Sequence, residues 1–477
     1  MATVKTPFKA AAVNPLKMSQ PLGASYAFMG MNRCMPMMHG SQGCTSFGLV
    51  LLVRHFREAI PLQTTAMNEA TTVMGGYDNI EKAVLNIRER AKPELIAICS
   101  TGLTETKGDD VGGYLKLLRE RHPEVNDTAL VYISTPDYVG AFQDGWAKAV
   151  TALIEALVEP AEPPDVQLPP YGSDVRELAQ SHAPPGLDAS RQVNLLPGCH
   201  LTPADIDELR EIVEAFGLRP VFLPDVSGSL DGHMSDEFSP TTMGGTTLAQ
   251  ARSMGSSRHT LALGEQMRPC AAALEKSTGV PFTVLQRLTG LAANDQLMAE
   301  LARISGVPVP QKFRRQRSQL QDAMLDAHFF IGGKRIVIGA EPDLLWALAM
   351  SLAELGAKIV GAVTTTQSPL LECIPTEEVL IGDLEDMEKL ATGCDLMITH
   401  SHGRQAAERL QVPFHRAGLP MFDRLGAGHR MTVGYRGTRD FLFEIGNIFL
   451  AHPHEGAPDT WPLPEKTRES LASVSAD

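Results

Sequence analysis

The run His39-Gly40-Ser41-Gln42-Gly43-Cys44 holds the residue types that a metal–sulfur site needs. Its two glycines let backbone come close to a bulky inorganic group, and their N–H groups can point at sulfide or thiolate. A cysteine on such a turn suits an iron–sulfur ligand, because thiolates hold the irons while backbone donors tune the potential. A free cysteine buried in a tight turn is the competing reading. Cys99 ends an apolar run and reads as a small core hydrophobe. Cys199, Cys270, Cys373 and Cys394 read as structural in the same way, and Cys34, set among Met29, Met31, Met35, Met37 and Met38, as core or interface packing. His400 and His402 follow a strand-like run and, two apart on extended chain, could share one face of a cleft; hydrogen-bonded loop histidines are the plainer alternative. Lys312, Arg314, Arg315 and Arg317 could hold an anion, but such a run more often forms a solvated helix face.

Some chemistry is missing. The chain has no GxxxxGK[ST] phosphate loop, no GxGxxG after a first strand and no GxSxG elbow. Nucleotide binding by this chain is therefore not expected, and ATP would have to come with a partner.

The elements that must position these residues alternate between strand and helix. Ile80, Ala83, Val84, Ile87 and Ala91 recur at helical spacing before the buried strand Leu95 to Cys99. Tyr114 to Arg121 reads as helix, Ala129 to Ile133 as strand and Phe142 to Leu157 as helix. Seven prolines between Glu159 and Pro185 mark a linker that holds no regular structure. Beyond it, strands are expected at Val193–Leu196, Val221–Leu223, Thr260–Leu263 and Thr283–Leu285, with a helical stripe through Ile206, Leu209, Val213 and Phe216. A third unit opens at Arg335–Gly339 and continues through the Asp343–Leu355 helix. Strands at Lys358–Val363, Val379–Ile381 and Asp395–Thr399 follow, and a helix over Phe441–Leu450 closes the unit.

The pattern predicts an α/β protein of three doubly wound parallel-sheet αβα domains preceded by an irregular N-terminal arm. The expected division is an arm with the cysteine loop over 1–75, a first domain over 76–158 and a linker over 159–190. A second domain covers 191–330, a third 331–435, and a closing helix and tail 436–477. The arm, rich in methionine, could wrap a partner.

Composition agrees with a soluble cytoplasmic protein. Of 477 residues, 43% are hydrophobic and 21% charged, enough for two to four domains at ~100–200 residues each. Lys and Arg total 42 against 56 Asp and Glu, a net −14 that works against binding a phosphate backbone. No apolar run is long enough to span a membrane, and no secretory leader precedes the domains. Seven dispersed cysteines make neither a disulfide framework nor a self-contained zinc site, so a metal cluster would need ligands from another chain.

Five stretches together resemble the nitrogenase β-subunit group: Val13-Asn-Pro-Leu-Lys-Met-Ser-Gln-Pro-Leu-Gly-Ala24, the Cys44 loop, Met74-Gly-Gly76, Gly108-Asp-Asp110, and Asp395-Leu-Met-Ile-Thr-His-Ser-His-Gly403. The similarity runs through nearly the whole chain and implies three αβα domains. Catalytic β-subunits supply three cysteines to an eight-iron cluster. At those positions this chain has Ser19, Cys44 and Gly102. One thiolate cannot hold half of an eight-iron cluster, but it can complete a 4Fe–4S site whose other three thiolates a partner provides.

The resemblance therefore implies the β-like subunit of the scaffold that matures the iron–molybdenum cofactor, an assembly role rather than an assigned catalytic one. It implies Cys44 as a metal ligand, with Gly43, Ser19 and Pro21 near the cluster. It implies a NifE-like partner in an α2β2 heterotetramer, binding most of the cofactor precursor, with NifB as the precursor source and the NifH reductase visiting transiently. The alternatives within the group are a catalytic β-subunit and a subunit of dark-operative protochlorophyllide reductase. Outside it stands a metal-free α/β transferase-like enzyme.

Overall fold

A computed structural model describes residues 1–9, 11–161, 168, 191–233 and 238–452. Strand β1 (Thr3–Lys5) lies apart from the strands that follow it in sequence. The first sheet takes β2 (Cys34–His39), β3 (Gln63–Thr64), β4 (Leu95–Ser100) and β5 (Ala129–Ile133) in the order β3-β2-β4-β5. The second takes β6 (Gln192–Pro197), β7 (Arg219–Phe222), β8 (His259–Leu263) and β9 (Phe282–Leu285) in the order β7-β6-β8-β9. The third takes β10 (Arg335–Gly339), β11 (Lys358–Thr364), β12 (Glu378–Ile381), β13 (Leu396–Thr399) and β14 (Phe414–Arg416), with β1 added at its edge, as β1-β12-β11-β10-β13-β14. All pairings are parallel. Three doubly wound sheets are thus present, as expected. In each, the winding reverses beside the first full strand: between β2 and β4, β6 and β8, and β10 and β13. Ligands of such sheets bind outside the carboxyl ends of the strands at these reversals.

The irregular arm is the expectation that the structure corrects. Residues 20–29 and 42–56 are helices, and Cys34–His39 is an interior strand of the first sheet. Met35 and Met37 pack with Ile96 and Ile98 under the Tyr77–Ala91 and Val111–Arg121 helices, while Cys34 and Met38 face the opposite core. Met29 and Met31 are buried too, so these methionines fill the chain's own core rather than offering a surface to a partner. Residues nearer the N-terminus run along the third domain. Thr3–Lys5 pair with Glu378–Leu380, Lys9 binds Asp383 and Asp386 at 2.8 Å each, and the Val13 N–H donates to Asp383.

The other predicted elements are present with small shifts. The Phe142–Leu157 helix has the expected bounds. The closing helix starts earlier, spanning Gly434–Ala451, and packs along a 21-residue helix, Gln311–Ile331. Lys312, Arg314 and Arg315 lie exposed on that helix and Arg317 pairs with Asp295, as a solvated face requires. The proline-rich segment lies outside the described residues over 162–167 and 169–190, as does the tail beyond 452. Among the described residues no helix is long and apolar enough to cross a membrane.

Helix Gln20–Met29 is buried at all ten positions. It crosses helix Phe142–Leu157 at two glycines: a Cβ on Gly23 would sit 1.9 Å from the Phe142 carbonyl oxygen, and one on Gly145 1.9 Å from that of Gln20. Only backbone fits between them. Tyr26 then reaches Trp146, with ring centroids 4.8 Å apart, and the Trp146 indole donates to the Pro197 carbonyl at the end of β6, 2.8 Å away. This crossing joins the first domain to the second. Gly23→Ala should lower stability by about 3 kcal/mol, because the helices must part to admit the methyl. Gly446→Ala, where a Cβ meets nothing within 4 Å, should be neutral or slightly stabilising. Denaturant midpoints of the two variants measure the difference.

Candidate functional site

Three helices begin around one cavity. Ser19 stands at the N-cap of Gln20–Met29, Ser41 at that of Gln42–Phe56, and Thr101 at that of the short Gly102–Lys107 helix. The last two follow β2 and β4, so the cavity lies at the winding reversal of the first sheet. Its volume is about 450 Å³, and Ser19, Pro21, Cys44, Phe47, Asp137 and His402 are among its walls. Positions 19 and 44, far apart in sequence, thereby share one wall, and position 102 follows the wall residue Thr101.

Cys44 belongs to the first turn of a helix rather than to a free loop, a small correction to the sequence reading. It is exposed, with its sulfur 3.6 Å from the Ser41 hydroxyl. The start of a 15-residue helix carries unpaired backbone N–H groups that favour negative charge. The Ser19 hydroxyl makes no cap bond to its helix and lines the cavity. Gly43 is exposed but is not part of the cavity wall; a Cβ there would meet nothing nearer than the Ser41 hydroxyl at 3.9 Å, so close packing within this chain does not require a glycine. At Gly102 the situation is opposite. A Cβ would fall 2.0 Å from the Asp137 carboxylate, so no side-chain ligand could stand at this position without displacing Asp137.

The remaining cysteines divide cleanly. Cys34, Cys99, Cys199, Cys270 and Cys394 are buried, while Cys373 is exposed beside Met1 on the third domain. Cys99 faces Ser25 and the Pro21 carbonyl, and burial pushes its thiol up to about 11. Burial raises Cys270 to about 12 and Cys394 to about 11, and lifts Cys34 and Cys199 as well. These thiols stay protonated, as core hydrophobes do. Cys44 is the one cysteine at the cavity among the described residues.

The motifs around Cys44 have structural duties. His39, fully buried at the end of β2, places Nε2 3.3 Å from Asp109 and Nδ1 2.9 Å from the Thr65 hydroxyl. Asp109 is also paired with Lys107 at 2.8 Å. Burial lowers the His39 pKa more than Asp109 raises it, so the ring is neutral, donating to Asp109 and accepting from Thr65. Gly76 must lack a side chain because a Cβ would lie 2.7 Å from both Asp109 and His39. Gly40 must lack one because of Thr101, whose hydroxyl, like that of Thr104, donates to the His39 carbonyl. Asp110 caps the next helix through the Gly113 N–H. Gly76 and Asp109 thus clamp the strand end that leads into the Cys44 helix. Asp137 had no signal in the sequence, since nothing marks a single exposed aspartate in a loop.

The two histidines of the third domain separate in role. His400 is buried; its Nε2 donates to the Leu16 carbonyl at 3.0 Å and its Nδ1 accepts the His402 backbone N–H at 3.3 Å. His402 is half-buried and reaches the cavity. Burial pushes His400 down to about 4 from the ordinary 6.5. Because the folded value lies below the unfolded one, its stabilising contribution is full above pH 6.5 and is lost as pH falls toward 4. His400→Gln keeps an N–H for Leu16 and does not titrate. Between about pH 6.5 and 5 the parent should lose about 2 kcal/mol more stability than this variant, at ~1.4 kcal/mol per pH unit; denaturant midpoints at the two pH values check it.

Comparison with known proteins agrees with the fold. The family model of nitrogenase component 1 type oxidoreductases matches residues 19–450. The nitrogenase iron-molybdenum cofactor biosynthesis protein NifN of Bradyrhizobium diazoefficiens is 58% identical, over 97% of this chain and 95% of that protein. NifN of a Nostoc species is 50% identical, over 94% and 96%. A solved chain described as nitrogenase Cp1 at pH 6.5 superposes with a TM-score of 0.84 at 32% identity, covering 95% of this chain and 97% of that one. The chain belongs to the nitrogenase component 1 type oxidoreductase family.

Proposed function

We propose that this chain is the β-like half of a NifEN-type scaffold on which the iron–molybdenum cofactor is matured from an all-iron precursor. The observation that carries the reading is the Cys44 cavity. Two of the three positions at which catalytic β-subunits supply cysteines line it, as one hydroxyl and one thiol, and the third, Gly102, follows the wall residue Thr101 and is blocked by Asp137. The naming of its relatives as cofactor biosynthesis proteins supports the same role.

Cys44 fits a shared 4Fe–4S cluster as its one ligand from this side. It is exposed at a cavity wall in the first turn of a helix, whereas Cys99 nearby is buried and protonated. Bound there, the cluster would supply one-electron transfer. The chain's own residues supply position and exclusion. The His39–Asp109 clamp fixes the strand end before Cys44. On the following helix Phe47, Val50 and Val53 are 66%, 52% and 37% exposed, an apolar stripe beside the thiol. A NifE-like partner docking on that stripe buries it and keeps water from the cavity. The partner supplies three thiolates and holds most of the precursor delivered by NifB, and NifH acts on the assembled α2β2 complex.

The test uses the complex co-purified without oxygen. Cys44→Ala should lose most of the iron and the electron paramagnetic resonance signal of the shared cluster while the partner still co-purifies. Cys99→Ala should keep both. Full iron in the first variant with loss in the second would move the ligand to the buried cysteine and defeat the proposal.

A further inference from the structure

The Cys44 cavity has a wall from a different domain. His402 lies in the single 3-10 turn Ser401–Gly403 that follows β13, at the winding reversal of the third sheet. That turn is held on both sides. His400 ties it to Leu16, three residues before Ser19, and the Ser401 hydroxyl binds Asp423 at 2.5 Å while accepting the Phe422 N–H at 3.0 Å. The His402 ring packs 5.1 Å from Phe422 and 5.2 Å from His400, centroid to centroid, and the Arg54 guanidinium covers Phe422 at 4.3 Å.

So placed, the imidazole has packing for its faces and, among the described residues, no hydrogen-bond partner for its ring nitrogens. Burial and the Arg54 charge both lower its pKa, which leaves one N–H to donate and one lone pair. Direct ligation does not suit the site proposed above, whose four ligands are Cys44 and three thiolates of the partner. A hydrogen bond to sulfur does, because such bonds stabilise the more negative, reduced state of an iron–sulfur group and raise its potential.

Resting on the function proposed above, we infer that His402 is a positioning residue of the shared metal site, donating its ring N–H to a sulfur of the group that Cys44 holds and thereby setting its reduction potential. The third domain would then tune, across the domain boundary, a site whose thiol comes from the first.

The experiment is a redox titration of the anaerobic complex, followed by electron paramagnetic resonance. His402→Phe keeps an aromatic ring against Phe422 and removes the donor; His402→Gln keeps an N–H. The Phe variant should retain parental iron content and partner association. Its reduced-to-oxidised ratio at a fixed potential should fall about tenfold, equivalent to about 59 mV for one electron. The Gln variant should stay close to the parent. A parental potential in the Phe variant overturns the inference and leaves the cluster assignment standing. Loss of iron in both variants overturns it in favour of ligation by the ring. Full iron and signal in Cys44→Ala would instead remove the reading on which it rests.

Discussion

The surroundings of Cys44 depend on the contact of two backbones at Gly23 and Gly145. With side chains at those points the Gln20–Met29 helix could not lie against Phe142–Leu157, and Ser19 and Pro21 would move with it. The same contact lets Tyr26 stack among Phe56, Phe142 and Trp146, and Trp146 carries the linkage on to β6. A helix buried on every side cannot rely on an amphipathic stripe for its position. Close packing of small residues does that instead.

Onto this frame the fold adds a recurring geometry. Each sheet reverses its winding beside its first full strand, and the loops beyond those strand ends share cavities. The Cys44 cavity takes residues that follow β2, β4 and β13. A smaller one, about 90 Å³, takes Cys199 and His200 after β6, Glu341 after β10 and Ala417 after β14. Burial pushes Glu341 up to about 8 and His200 down to about 4, so that interior tends toward neutral groups. The Cys44 side differs because its thiol is exposed and the helix beside it carries an apolar stripe into solvent. The second cavity belongs to the chain's own core; the first has the character of half a site.

Much of this architecture was legible in the sequence where one physical signal dominated. Ile80, Val84 and Ile87 lie on one buried helical face, and Leu95–Cys99 forms an interior strand between β2 and β5. Where signals conflicted, the reading failed. Pro36 interrupts the run Cys34–His39, and a proline within a run argues against an interior strand. Here it is tolerated because β3 pairs only with Met37 and Met38, which leaves the Pro36 side of the ladder open. Helix Gln20–Met29 had no stripe to detect, because all its faces are buried. The order of β1 was beyond local reading as well, since its partner Glu378–Leu380 is more than 370 residues away.

By itself the sequence determined the three-layered α/β class, the scarcity of thiols and the family to which the motifs belong, because periodicity, residue type and spacing are local properties of the chain. Only the tertiary structure decided which residues share a site. Ser19, Cys44, Asp137 and His402 meet at one cavity because parallel winding brings the carboxyl ends of strands from two domains together. Gly102 is closed to a side chain because Asp137, 35 residues onward, already occupies the space. Proximity of that kind is set by packing between elements, and no local pattern in the chain encodes it.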